Sequence, residues 1–156
     1  MPIRKHLRKF YRGAAWLATR ARILARAGDA CEACGKPNHA TVWVVRDGSG
    51  RWTKQLKDHR KPGTGAWLDA TGKPCAAPRP ADAARIWCIR VVLTIAHLNH
   101  LAGDDRAENL RALCQRCHLA HDQRWHLAQA RRTRAARTGQ RWLIDASLPA
   151  SIEDAR

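Results

Sequence analysis

A chain of 156 residues is the length of one domain with a modest core, and 29 Lys plus Arg against 13 Asp plus Glu leave it a net charge of +16. An excess of that size favours a polyanionic partner, nucleic acid before other anionic surfaces, because each phosphate contacted releases condensed counterions. No run of about 18 uncharged apolar residues occurs, which argues against a membrane-spanning helix and for a soluble, cytoplasmic protein.

From the amino terminus, residues 3–27 read as a basic amphipathic helix. Ile3, Leu7, Phe10, Ala14, Leu17, Ala21 and Leu24 recur at spacings of three and four. Arg4, Lys5, Arg8, Lys9, Arg12, Arg20, Arg22 and Arg26 fill other positions, and Gly28-Asp29 supplies a stop. Such a face is either solvated or set against phosphates. Cys31-x-x-Cys34 follows, with Gly35 directly after it. A turn of that kind points two sulfurs at one ion, although a redox dithiol or two buried thiols share the spacing.

Residues 41–53, TVWVVRDGSGRWT, read as a β-hairpin around a DGSG turn. Residues 54–82 are rich in Lys, Gly and Pro and read as a long irregular loop, in which Asp58-His59 is a decoy dipeptide and Cys75 a spectator thiol. Residues 84–96, ARIWCIRVVLTIA, are the most apolar segment and read as one strand, with Cys88 packed inside it as a small hydrophobe.

That strand delivers His97-Leu98-Asn99-His100, and LAGDDRAE makes a turn-rich loop. Asn109–Leu113 reads as a return strand, and from Cys114 the pattern predicts a helix to about Arg137. On it His118, His121, Asp122 and Trp125 share one face. Arg124, Arg131, Arg132, Arg134 and Arg137 form a second basic cluster. Residues 141–156 carry no motif and read as a tail beyond a single domain of residues 1–140.

Six cysteines without a secretion-type leader point to reduced thiolates rather than disulfides. Cys31, Cys34, Cys114 and Cys117 form two Cys-x-x-Cys pairs that can close one tetrahedral zinc site if the fold brings them together. With four thiolates and no open position, such a zinc is structural. The rival is a redox dithiol pair, disfavoured because neither motif sits at a thioredoxin-like strand-to-helix turn; a Cys3His site using His118 is a further alternative.

The segments RAGDACEACG, LTIAHLNH and ENLRALCQRCHLAHD together resemble the zinc-containing branch of the His-Asn-His (HNH) endonucleases. The resemblance covers residues 22–38 and 88–126, and residues 40–83 stand apart as an insertion. It implies an α+β fold with a ββα-metal core (the His-Me finger), here with structural zinc knuckles, an amino-terminal basic helix and an inserted hairpin and loop. It also implies a metal-dependent nuclease acting on DNA phosphodiester bonds in a bacterial or phage-infected cell. His97 falls on the general base, Asn109 on the loop-fixing amide and His118 on the metal-binding histidine. Asp122, one turn on, falls where some relatives place another ligand, and His100 is a further candidate ligand. Arg4, Lys5, Arg8, Lys9 and Arg12 of the first helix, with Arg124, Arg131, Arg132, Arg134 and Arg137 of the second, would grip the DNA backbone.

The chemistry asks for such a set in its own right. Imidazole is the side chain poised to take a proton near neutral pH, and a hard cation, Mg²⁺ or Mn²⁺, offsets charge building on the phosphate. One position departs from the pattern: many relatives carry a ligand immediately before the base, where this chain has Ala96. The alternative is therefore a non-catalytic, zinc-stabilised nucleic-acid-binding protein with a degenerate site.

Overall fold

The computed structural model describes residues 10–54 and 65–138. The chain divides into two compact units, Met1–His118 and Leu119–Arg156. The fold is α+β, with small antiparallel sheets and helices. Arg4, Lys5, Arg8, Lys9, the Asp58-His59 dipeptide and residues 141–156 lie outside the described residues.

In the first unit, helix α1 spans Ala14–Arg26. Its start corrects the expectation of a helix running unbroken from residue 3. Gly13 is extended at φ −75°, ψ 157° and caps the helix, so Arg12 precedes it. Its end lies at the expected stop, where Gly28 and Asp29 both take positive φ and Asp29 N–H returns to Leu24 O at 2.9 Å. The inward face also differs by about a residue. Trp16 and Ile23 are buried, while Leu17 is exposed. A tryptophan offers more apolar area than a leucine, so the helix settles with the larger ring inside.

Strands β1 (Thr41–Val45) and β2 (Trp52–Lys54) form the hairpin. Asp47 holds its turn by accepting from Ser49 N at 2.8 Å and from Arg51 Nη2 at 2.7 Å. β3 (Trp67–Leu68), β4 (Pro74–Cys75) and β5 (Ile86–Arg90) complete a five-stranded antiparallel sheet in the order β4-β3-β2-β1-β5. The described part of the expected loop, residues 65–82, thus carries two short strands and the start of a 3₁₀ turn, while residues 55–64 lie outside the described residues. Asp69 Oδ1 accepts from Thr71 N at 2.7 Å and Lys73 N at 3.1 Å, closing the β3–β4 turn. Gly72 there has φ +85°, and a Cβ would stand 2.9 Å from the Cys34 carbonyl oxygen, so only glycine fits against the first cysteine turn.

The apolar stretch of residues 84–96 is two strands, not one. β5 pairs with β1, whereas β6 (Leu93–His97) pairs with β7 (Leu110–Cys114) in a separate two-stranded sheet. Val91 and Val92 join them. Val91 is fully buried, its N–H donates to Ala40 O at 2.8 Å, and its carbonyl accepts from His39 N at 2.9 Å. Leu93 N–H then donates to the Asn38 side chain at 2.9 Å. Cys88 is exposed, which corrects its expected burial: β5 is the edge strand and turns that side chain outward.

One apolar cluster ties the unit together: Trp16 and Ile23 from α1, Val42 and Trp52 from the larger sheet, and Leu93, Ile95, Leu110, Ala112 and Leu113 from β6 and β7, with the four paired cysteines. Helix α2, Gln115–Thr138, begins in this unit. In the second unit it carries Asp122, whose carboxylate lies 3.7 Å from His126 Nε2, and the exposed Arg124, Arg131, Arg134 and Arg137, with Arg132 half-buried. Among the described residues no helix is long and apolar enough to cross a membrane.

Candidate functional site

The sulfur cluster forms where two turns meet. In the first, Cys31 N–H donates to Lys36 O at 2.9 Å and Gly35 N–H to Cys31 O at 2.8 Å, with Gly35 at φ +71°. In the second, Cys114 ends β7 and Cys117 lies in the first turn of α2, so this pair does sit at a strand-to-helix turn, and the expectation that neither motif would do so is corrected. The four sulfurs lie within 4.8 Å of one another and all four residues are buried. Sulfurs arranged on a tetrahedron at the usual zinc–sulfur distance of about 2.3 Å stand about 3.8 Å apart. Cys34 and Cys114 sulfurs are 3.7 Å apart, so the geometry is compatible with zinc.

The sulfurs also compete for protons. Hydrogen bonds from Cys114, Cys117 and Cys34 hold the Cys31 thiol far below its ordinary range, while the Cys114 sulfur pushes Cys34 and Cys117 up. Four sulfurs so close cannot all carry charge unless a cation lies among them.

A clamp locks the two cysteine turns together. Glu32, between Cys31 and Cys34, pairs with Ala112 twice: its carboxylate accepts from Ala112 N at 2.6 Å, and its N–H donates to Ala112 O at 3.0 Å. Arg26 holds that carboxylate at 2.9 Å and also donates to Leu110 O at 2.6 Å and Ala107 O at 2.7 Å. Arg20 likewise turns to Leu93 O at 3.4 Å. These two arginines of the basic helix therefore bind their own backbone.

At the other end of β7 lies the histidine loop. A 3₁₀ turn over Ala107–Asn109 leads Asn109 into the strand, with the residue only 7% exposed. Its amide is fully used: Nδ2 donates to Asn99 Oδ1 at 3.0 Å and Asp104 O at 2.8 Å, and Oδ1 accepts from Asn99 N at 3.1 Å. Its own carbonyl accepts from Leu98 N at 2.8 Å. Asparagine alone among similar-sized side chains offers both donors and acceptor here. Asp104 extends the mesh, accepting from Asn99 Nδ2 at 2.7 Å and from Arg106 Nε at 2.7 Å. The Arg106 guanidinium holds its carboxyl at about 2.

His97 ends β6 beside this mesh. Its ring stacks on Trp16, with centroids 5.6 Å apart and planes inclined by 12°, and Tyr11 meets it edge-on at 6.0 Å. Nε2 lies 3.0 Å from Asp105 Oδ1. An ionised carboxylate only accepts, so Nε2 carries the hydrogen and the basic lone pair of the neutral ring is on Nδ1. The side chain is 6% exposed. Burial of the neighbouring Tyr11, and after it the Asp105 charge, raise that phenol and keep it protonated.

His118 stands in the first turn of α2, with Nδ1 2.7 Å from Thr94 Oγ1 on β6. His100 is half-buried at φ +60°, its N–H 3.2 Å from His97 O. Ala96 is buried to 1% exposure and paired with Arg111, so it offers no ligand. Asn99, beside His100 in the loop, is engaged by Asn109, Asp104 and Leu101.

The residues that sequence reasoning missed are those acting on the named ones: Trp16, Tyr11 and Asp105 around His97, Thr94 beside His118, and Glu32 and Lys36 beside the sulfurs. Lys36 directly after Cys-x-x-Cys-Gly, and Glu32 between two cysteines, were available signals; nothing local marks Trp16. No protein-family model matches the chain, and neither a curated protein nor a solved structure matches it.

Proposed function

We propose that the protein is a metal-dependent endonuclease of the HNH type that hydrolyses DNA phosphodiester bonds in a bacterial or phage-infected cell. The observation that carries this reading is the order of parts along β6, β7 and α2. His97 ends the first strand, Asn109 braces the loop with every polar atom of its amide, and His118 enters at the start of the helix. This is the arrangement expected of a ββα-metal core.

In the proposed reaction, Nδ1 of His97 takes a proton from the attacking water as its oxygen bonds to phosphorus. The bond to the leaving oxygen then breaks, and that oxygen is protonated from solvent. Asp105 holds the ring in the required tautomer and offsets the imidazolium that forms. His118 and Asp122, one turn apart on α2, are the ligands we assign to Mg²⁺ or Mn²⁺, an imidazole and a carboxylate that suit a hard ion completed by water. When bound, that ion supplies positive charge against the developing phosphate charge. The exposed arginines of α2, with Arg12 ahead of α1, would contact DNA phosphates, and such contacts position DNA without reading its sequence.

Ala96 supports a second reading, a zinc-stabilised nucleic-acid-binding protein without catalysis. Its buried methyl stands where a ligand is expected, and His97 has little exposed surface.

Nicking of supercoiled plasmid with Mg²⁺ or Mn²⁺ separates the two. Cleavage by the wild type, lost in His97→Ala while DNA binding and metal content persist, is the result expected of the nuclease. Binding without metal-dependent nicking by the wild type would establish the second reading instead.

A further inference from the structure

Lys36 is 2% exposed, and an ammonium taken out of water is costly unless an anion meets it. Among the described residues no carboxylate does so. Its contacts are the Cys34 sulfur, 3.6 Å from Nζ, and the face of Trp52, whose centroid is 4.9 Å away. A neutral thiol is a weak acceptor and a tryptophan face a partial counter-charge. A metal-bound thiolate is neither weak nor neutral. Four thiolates around a divalent cation leave a net charge of about −2 in a dry interior, and the Lys36 ammonium lies against one of the sulfurs.

We propose that Lys36 is the built-in counter-ion of the four-cysteine centre, a positioning residue that holds the Cys34 sulfur in place and slows loss of the metal to a chelator. The inference rests on the reading of the four cysteines as a metal centre. It explains why a lysine follows Cys-x-x-Cys-Gly and then turns inward. The turn that aims Cys31 and Cys34 is closed by Cys31 N–H donating to the Lys36 carbonyl, so the ammonium arrives at the sulfurs with the knuckle. Cys31 receives a matching donor, Cys114 N–H at 3.3 Å. Cys31 thus accepts from a neutral amide and Cys34 from a full charge. Partners behind the ligands of a metal site alter affinity by about 10- to 100-fold.

The test compares Lys36→Met, which keeps length and an apolar contact with Trp52, with Lys73→Met, an equal charge change at an exposed position. Release of zinc to a chelator is expected to be about tenfold faster in Lys36→Met and unchanged in Lys73→Met. In the cobalt-substituted proteins the thiolate-to-metal absorption band should move to longer wavelength in Lys36→Met alone. Equal release rates and band positions in the wild type and Lys36→Met would overturn the proposal. Should Lys36→Met fail to fold, acetylation of the wild type decides: Lys36 is expected to react only after the metal is stripped, and equal labelling of the loaded and stripped protein overturns it. A folded wild type that holds no metal at all would remove the metal centre itself, and this role with it.

Discussion

The two ends of β7, a strand of five residues, are held by different means. At Cys114 the contacts are sulfur, apolar side chains and one buried ammonium, closed to solvent. At Asn109 they are amide and carboxylate hydrogen bonds in a loop where Asp104 and Arg106 reach water. The first arrangement fits a centre that does not change during function, since all four sulfurs are buried together. The second suits the chemistry we propose, in which a base is aimed at a substrate and still exchanges protons. The contrast also implies a hierarchy. The loop takes its position from the strand, and the strand takes its position from the sulfurs and the Glu32 clamp.

Three changes would sharpen or break that contrast. The largest effect is expected from Cys114→Ser. Structural zinc sites contribute about 10–16 kcal/mol of apparent binding energy that is also folding energy, so metal content should fall to zero and the cooperative thermal transition should vanish at both ends of β7. Retention of a sharp transition by the metal-free variant would refute the hierarchy. Next comes Asn109→Ala, which strands several partly buried polar groups at about 1–3 kcal/mol for each one left unpaired. A loss of about 3 kcal/mol in urea unfolding is expected, with faster amide exchange at Leu98 and Asn99 and unchanged metal content. Metal loss in this variant would mean that the two ends are not separable. The smallest effect is that of acid. The Asp104 carboxyl lies at about 2 against an ordinary 3.8, so its folded value is depressed. Its contribution is complete above the ordinary value and is lost as pH falls through about 2. Chemical shifts of Asn99 and Arg106 followed from pH 5 downward should report loop opening in that window, and a flat profile would show that the mesh does not depend on the Asp104 charge.

Much of this organisation was legible because it is written in local spacing. The paired cysteines, the Gly28-Asp29 stop, the DGSG hairpin, and the strand-to-helix step at Cys114 all depend on neighbours within a few residues. What escaped depends on distant ones. Nothing in RVVLTIA marks a break, because both valines continue an extended, apolar pattern; the strand divides there because Ala40, Asn38 and the partners on β7 claim successive stretches of backbone. The choice of Trp16 over Leu17 as the buried residue of α1 rests on the space beside His97, which a helical pattern cannot reveal. Among the site residues, Asn109 could be named from the sequence, but its companions Asn99 and Asp104 could be joined to it only in three dimensions.

The joint at Val91–Val92 also sets the phase between the two sheets. Strand side chains alternate with a period of two, so one residue added there would turn β6 over. His97 and Ile95 would exchange sides with Ala96 and Thr94, while β5 stayed in register with β1. The larger sheet is therefore an index for the smaller one. The stretch between the two cysteine turns can tolerate change in its outer strands, but at this joint only in steps of two.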